Sequence, residues 1–242
     1  MPTTDLPITS AAVSLSIGDG TTMAAFTARP ASGGPYPGII VLQEAFGVNG
    51  HIRRVAERFA AQGYVAIAPE LYHRTAPGFE GSYTDFEAIR PHMQALTEDG
   101  LIADLRAAHE WLHQDRQTQP NHIVAVGFCM GGRVAFLANA TLPLQAAVSF
   151  YGGGIAPALL HHAGALHGPM LFFWGGLDKH IDATQRRAVI DAMTDAGRPF
   201  LNVEISDADH GFFCDERASY NARAANLAWD LTLPFLRTRE GK

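Results

Sequence analysis

Hydrophobic and polar positions alternate at the start of this chain, then give way to solid apolar runs separated by amphipathic stretches. Ala12-Val13-Ser14-Leu15-Ser16-Ile17 alternates with period two, Gly18-Asp19-Gly20 turns, and residues 22–27 are again strand-like. That spacing predicts a hairpin at a sheet edge. After a Pro/Gly-rich loop over 30–37, Gly38-Ile39-Ile40-Val41-Leu42 is continuously apolar, as a central parallel strand requires. Similar runs at 64–68, 122–126, 145–151, 170–174 and 200–205 predict further buried strands. Helical periodicity fills the gaps at 51–62, 97–115, 133–140, 183–196 and 218–236, with Gly63 closing the first. Residues 69–90 and 152–168 read as irregular. Strands alternating with helices imply an α/β fold, a doubly wound, mostly parallel sheet with helices on both faces. No repeat, low-complexity tract or linker divides the chain, so the expectation is one domain over 1–242.

One junction in this pattern carries chemistry. Between the strand at 122–126 and the helix at 133–140 lies Gly127-Phe128-Cys129-Met130-Gly131-Gly132. Strand, Gly-x-Cys-x-Gly, helix is the pattern of a nucleophile elbow with cysteine in the serine position. A side chain pushed out at so sharp a turn needs neighbours without a Cβ. The helix that starts there aims its N–H groups and positive dipole end at the same point, which favours a thiolate and a developing oxyanion. The bland alternative is a buried structural cysteine beside a Gly-rich turn.

Composition narrows the setting. Hydrophobic residues are 47% of the 242 and charged residues 17%, against roughly 25% in typical domains. This suits a globular enzyme with a large core and excludes disorder. A net charge of -6 offers no electrostatic case for nucleic acid or an anionic membrane. Met1 to Leu6 has neither a basic nor an apolar segment, and no apolar run reaches a membrane span. Two cysteines, Cys129 and Cys214, do not make a disulfide framework. The expectation is a cytoplasmic protein acting as a monomer or weak homodimer on a small molecule.

In sheets of this class ligands bind at the carboxyl ends of the strands. Four ionisable side chains fall just after predicted strands: Glu44, Cys129, Asp178 and His210. Nucleophile, acid, histidine is the chain order of α/β-hydrolases. Cys129 would be the nucleophile, His210 the base that shares its proton, and Asp178 the acceptor that fixes the imidazole tautomer. The backbone N–H of Met130 and one from the loop after residues 38–42, best Ala45, would form the oxyanion hole. Each residue also has a plain reading: Asp178 as turn chemistry, His210 as a helix cap, Glu44 as a surface carboxylate. Four such residues in the right order favour the joint one.

The chain resembles the dienelactone hydrolases (carboxymethylenebutenolidases) over nearly its whole length. The resemblance rests on Gln43-Glu44-Ala45-Phe46-Gly47-Val48-Asn49, Ala68-Pro69-Glu70-Leu71-Tyr72, the 127–132 elbow, Trp174-Gly175-Gly176-Leu177-Asp178 and His210-Gly211-Phe212. It implies an α/β-hydrolase with a Cys129-Asp178-His210 triad, and a Glu44 that controls the thiol. It further implies hydrolysis of a carboxylate-bearing enol-lactone in the breakdown of chlorocatechol-type aromatics, with no metal or cofactor. The family carries an arginine four residues past the catalytic histidine, which helps hold the substrate carboxylate; here that residue is Cys214. The nearest arginine to that position is Arg217; the resemblance implies a second carboxylate-binding arginine in the irregular stretch, for which Arg74 and Arg90 are the candidates, with Tyr151 and Phe46 as further substrate-lining residues.

Other patterns compete. His109-Glu110-Trp111-Leu112-His113 matches the H-E-x-x-H zinc signature. Leu101, Leu105, Ala108 and Leu112 form that helix's apolar stripe, however, which turns Glu110 away from the core. His161, His162 and His167 could ligate a metal but read as a solvated loop. A glutamate near an elbow cysteine also resembles flavodoxin-like chaperone and glyoxalase proteins, a reading that leaves Asp178 and His210 without work. Within the hydrolases, the rival is a broader carboxylesterase or thioesterase.

Overall fold

Each apolar run becomes a strand, and the amphipathic stretches become helices laid over the strands. The computed structural model describes residues 5–237. The chain divides after Val124 into two compact units.

The first unit holds β1 (Ile8–Ser16), β2 (Thr22–Pro30), β3 (Tyr36–Leu42), α1 (Gly50–Ala61), β4 (Val65–Pro69), α2 (Phe86–Gln94) and α3 (Glu98–Gln114). β5 (Thr118–Phe128) begins in it. The expected hairpin is there: β1 pairs antiparallel with β2 from Ile8↔Pro30 to Ser16↔Thr22. β2 runs antiparallel to β4, while β3 and β4 are parallel. Asn49 starts α1 by accepting from the N–H of Ile52 at 3.2 Å. The helix then buries Ile52, Val55, Ala56, Phe59 and Ala60. Its three large apolar side chains contribute roughly 5–9 kcal/mol of gross burial, before conformational entropy is subtracted.

The second unit holds the rest of β5, then α4 (Met130–Thr141), β6 (Ala147–Phe150), a 3-10 turn (Leu160–Ala165), β7 (Met170–Gly175), α5 (Ala183–Asp195), β8 (Phe200–Ile205) and α6 (Ala222–Arg237). β5 to β8 pair in parallel, each with the next. The eight strands form one sheet in the order β1-β2-β4-β3-β5-β6-β7-β8, mostly parallel and flanked by helices. α4 is buried nearly all round, which is why its sequence lacks a polar face. Among the described residues no helix is long and apolar enough to cross a membrane.

Several strands run a few residues longer than the sequence reading has them, among them β1, β2 and β5, and three helical segments also differ. The stretch taken as irregular up to residue 90 contains the start of α2, capped by Asp85 and interrupted by Pro91. Ile89 is its one buried residue, and Pro91 in its middle reads as a break in a short stretch whose large apolar positions are only Phe86, Ile89 and Met93. Ile89 packs with Ala45, Phe46, Phe79, Tyr83 and Met93, a small cluster that pins the loop after β3. The loop assigned to 152–168 includes the 3-10 turn. The last helix starts at 222 rather than 218, because Asn221 accepts from the N–H of Ala224 at 3.1 Å and so caps it.

Candidate active site

β5 ends in a turn that needs glycines around it. Cys129 sits at φ 54°, ψ −117°, a strained backbone for a residue with a Cβ, between the last residue of β5 and the first of α4. A Cβ on Gly127 would overlap the carbonyl of Gly131. One on Gly132 would lie 2.7 Å from both the Gly152 Cα and the Phe150 carbonyl oxygen. The glycines are there because two backbones pass in contact. The turn is also held from β6, since the Cys129 N–H donates to Phe150 O at 3.0 Å. Cys129 is left partly exposed, whereas Cys214 is fully buried.

The loops after β7 and β8 run against each other. Gly176 N–H donates to Ile205 O at 2.8 Å and Leu177 N–H to Ala208 O at 2.9 Å. Gly175 and Gly176 permit this, because a Cβ on either would come within 2.6 Å of the Ala208 oxygen or the Ser206 Cα. The close approach delivers Asp178 to His210. Asp178 Oδ2 lies 2.8 Å from His210 Nδ1, and His210 Nε2 lies 3.1 Å from Cys129 Sγ. The other carboxylate oxygen, Oδ1, accepts from the N–H groups of His180 at 2.7 Å and Ile181 at 3.2 Å. Phe212 and Phe213 anchor the histidine loop: Phe213 packs on Phe128 and Phe150, and Phe212 on Tyr151. The Tyr151 ring, on a residue with φ 38°, stands 5.1 Å from the imidazole, and that of His180 also 5.1 Å.

The electrostatics follow from this contact order. Burial works against a charge on Asp178, but the hydrogen bond and charge of His210 and the two main-chain N–H groups outweigh it and hold the carboxyl below its usual range. Burial likewise works against the imidazolium. The adjacent Cys129 sulfur and then Asp178 outweigh that, and the His210 pKa is pushed up to about 10. Beside an ionised Cys129, His210 therefore keeps its proton at neutral pH. A sulfur, a protonated imidazole and a fixed carboxylate in line can attack an acyl carbon and protonate what leaves it.

The remaining sequence candidates are distributed as follows. Glu44 is buried, only 1% exposed, at the end of β3, and is not a surface carboxylate. Ala45 and Phe46 follow it in the cluster around Ile89. Met130 opens α4 directly after Cys129. Arg74 gives Nη1 and Nη2 to the buried Asp104 at 2.9 and 2.8 Å, and Nε to Asp19 at 2.8 Å. Arg90 lies exposed on α2, paired with Glu87 at 2.5 Å. Arg217 folds back so that its guanidinium covers Gly211, the residue after His210. Glu110 is exposed and bonded to Gln114 at 2.5 Å, as the helical stripe predicts. The rings of His161 and His162 lie 4.0 Å apart, tilted against each other, on the 3-10 turn. Sequence reasoning missed His180 and Ile181. Their signal was the residue offset: an aspartate commonly accepts the N–H two residues on.

The chain is similar to known proteins over most of its length. The dienelactone hydrolase family profile matches residues 23–239. A Synechocystis protein provisionally named a carboxymethylenebutenolidase is 38% identical over 225 residues, 89% of this chain and 92% of that protein. The carboxymethylenebutenolidase of Pseudomonas putida is 32% identical over 234 residues, 95% and 97% of the two chains. A crystal structure of a protein from Klebsiella pneumoniae, provisionally assigned as a dienelactone hydrolase, superposes with a TM-score of 0.88. It is 32% identical and covers 95% of this chain and 98% of that one. With the fold, the elbow and the matched span all in agreement, this chain belongs to the dienelactone hydrolase family and is an ester or lactone hydrolase.

Proposed function

We propose that Cys129, His210 and Asp178 hydrolyse an ester or lactone through an acyl-enzyme. The observation that carries this reading is the unbroken chain from Cys129 Sγ to His210 Nε2, 3.1 Å, and from His210 Nδ1 to Asp178 Oδ2, 2.8 Å. The thiolate adds to the acyl carbon, and the carbonyl electron pair moves onto oxygen. The Met130 N–H, from its place after the nucleophile, and the Ala45 N–H, from the loop that follows residues 38–42, receive that oxyanion. Collapse expels the leaving oxygen, which takes the proton from His210 Nε2. Water then attacks the thioester, gives its proton to His210 and releases the acid and the thiolate. Asp178 keeps the Nδ1 proton in place throughout.

Glu44 takes the role that the resemblance implies: it holds the resting thiol protonated, accepts that proton when substrate arrives, and returns it at the end of the cycle. The substrate class is a carboxylate-bearing enol-lactone from aromatic breakdown, handled by a cytoplasmic monomer or weak homodimer without metal or cofactor. A broader carboxylesterase is the second reading, and specific observations favour it. Cys214 stands where the family has an arginine, Arg74 is committed to Asp104 and Asp19, and Arg90 to Glu87. Hydrolysis of dienelactones against neutral p-nitrophenyl esters by the purified protein separates the two. Turnover of neither substrate refutes both.

A further inference from the structure

Arg133 is anomalous among the arginines of this chain. It lies in the second turn of α4, half-buried, and has no hydrogen-bond or ion-pair partner among the described residues. The other described arginines are either exposed, as Arg106, Arg116 and Arg187 are, or engaged with an acid, a carbonyl or another group. A guanidinium carries five donors, and those of Arg133 are not closed off from solvent, so they are open to an anion that enters beside α4. Its position carries a cost, because a cation near a helix N-terminus opposes the helix dipole.

Its surroundings connect it to the triad. Gly152, Gly153 and Gly154 leave the end of β6 just after Tyr151, whose ring stands 5.1 Å from His210. Arg133 lies over the last of the three: a Cβ on Gly154 would be 3.3 Å from its Nη1 and 3.4 Å from its Cδ. Gly153 faces Ile181, whose N–H holds Asp178. The glycine strip therefore has the acid–base pair at one end and an uncommitted cation at the other. Arg133 is the fourth residue after Cys129, about 6 Å on along the helix axis. An acyl group bound at Sγ spans that distance with a chain of about four bonds.

We propose that Arg133 is a specificity-determining residue, the cation that receives a carboxylate on the acyl side of the substrate, a few bonds from the scissile carbonyl. This rests on the hydrolase reading above. It gives the enzyme a way to recognise an acidic ester that does not depend on the arginine missing at position 214.

The test compares two esters that differ in the charge of the acyl terminus, p-nitrophenyl butyrate and mono-p-nitrophenyl glutarate, on the wild type, Arg133→Gln and Arg133→Lys. The quantity read is the ratio of kcat/KM for the acidic over the neutral ester. Arg133→Gln is expected to lower that ratio roughly ten- to hundredfold, the range for a charge-assisted hydrogen bond, chiefly through KM. Arg133→Lys should restore part of it, since it keeps the charge and loses the fork. On the wild type, free glutarate should inhibit competitively and raised salt should erode the preference. If Arg133→Gln slows both esters in proportion, or neither, the anion site is wrong while the hydrolase stands. If that variant fails to fold, wild-type inhibition by glutarate that is absent or insensitive to salt overturns the proposal equally. A wild type inert on both esters removes the hydrolase reading itself.

Discussion

Replacing Asp178 with Asn isolates what the acid does for the base. Asparagine has the same shape but one acceptor oxygen instead of two. If that oxygen stays on the N–H groups of His180 and Ile181, the amide NH2 is driven against His210 Nδ1. The imidazole must then carry its proton on Nε2, the nitrogen that should receive one from water. If the amide is reversed, two main-chain N–H groups lose their acceptor at about 1–3 kcal/mol each. The native His210 pKa stands 10 − 6.5 = 3.5 above its ordinary value, on the order of 5 kcal/mol in favour of the imidazolium. The Cys129 sulfur supplies the largest favourable share of that figure, with Asp178 next and burial opposing both. The mutant retains the sulfur's share and loses the carboxylate's, while the tautomer it imposes is the unproductive one. A fall in kcat of about 10³–10⁴ follows, the scale on which a triad with the wrong tautomer fails. Stopped-flow hydrolysis of a p-nitrophenyl ester between pH 5 and pH 10 measures it. An Asp178→Asn enzyme within tenfold of the wild type across that range would refute the assignment.

Cys129→Ala should abolish turnover, and iodoacetamide should modify Cys129 alone, since Cys214 is fully buried; mass spectrometry that finds the label on Cys214 with activity lost would reverse the roles. Glu44→Gln can keep a hydrogen bond but cannot take a proton, so turnover should fall at least roughly tenfold while alkylation without substrate does not slow in parallel. Near-normal turnover in that variant would leave Glu44 a bystander. The raised His210 pKa also makes a prediction about stability. Where the folded state holds Cys129 as the thiolate it binds this proton more tightly than the unfolded chain, so the pair's contribution is complete below pH 6.5 and drains away as the pH climbs towards about 10. Thermal melting of the wild type against His210→Gln over that window should show a gap that narrows with pH, and a constant gap would count against the ion pair.

The strands and the chemistry at their ends were legible because both are written locally. A solid apolar run such as 38–42 has one structural use, and Gly127 and Gly131 flank Cys129 in the sequence itself. α2 was not legible, because it is short, carries Pro91 in its middle, and is held by Ile89 meeting Phe46, a residue far away in the chain. Gly175 and Gly176 read as a turn, whereas their use is to let Ser206 and Ala208 pass close by, a fact about another segment. The arginines were the least legible. Nothing near Arg74 in the chain announces Asp104 thirty residues later, and nothing near Arg133 announces that it has no acid to meet.

The pairing of the β7 and β8 loops bears on how this enzyme can change over evolutionary time. Two main-chain hydrogen bonds make Asp178 and His210 travel as one piece, with the segment 182–199 hanging from it as a separate excursion. Insertions or exchanges should accumulate in that excursion, where α5 can lengthen or shorten without moving either residue. A single residue added within 175–178 or 205–210 would shear the pair apart. The nucleophile belongs to a different turn, held by glycines and by β6. Its element, sulfur or oxygen, is free to be exchanged without redrawing the acid and base, so a family built this way can try new reactivity one atom at a time.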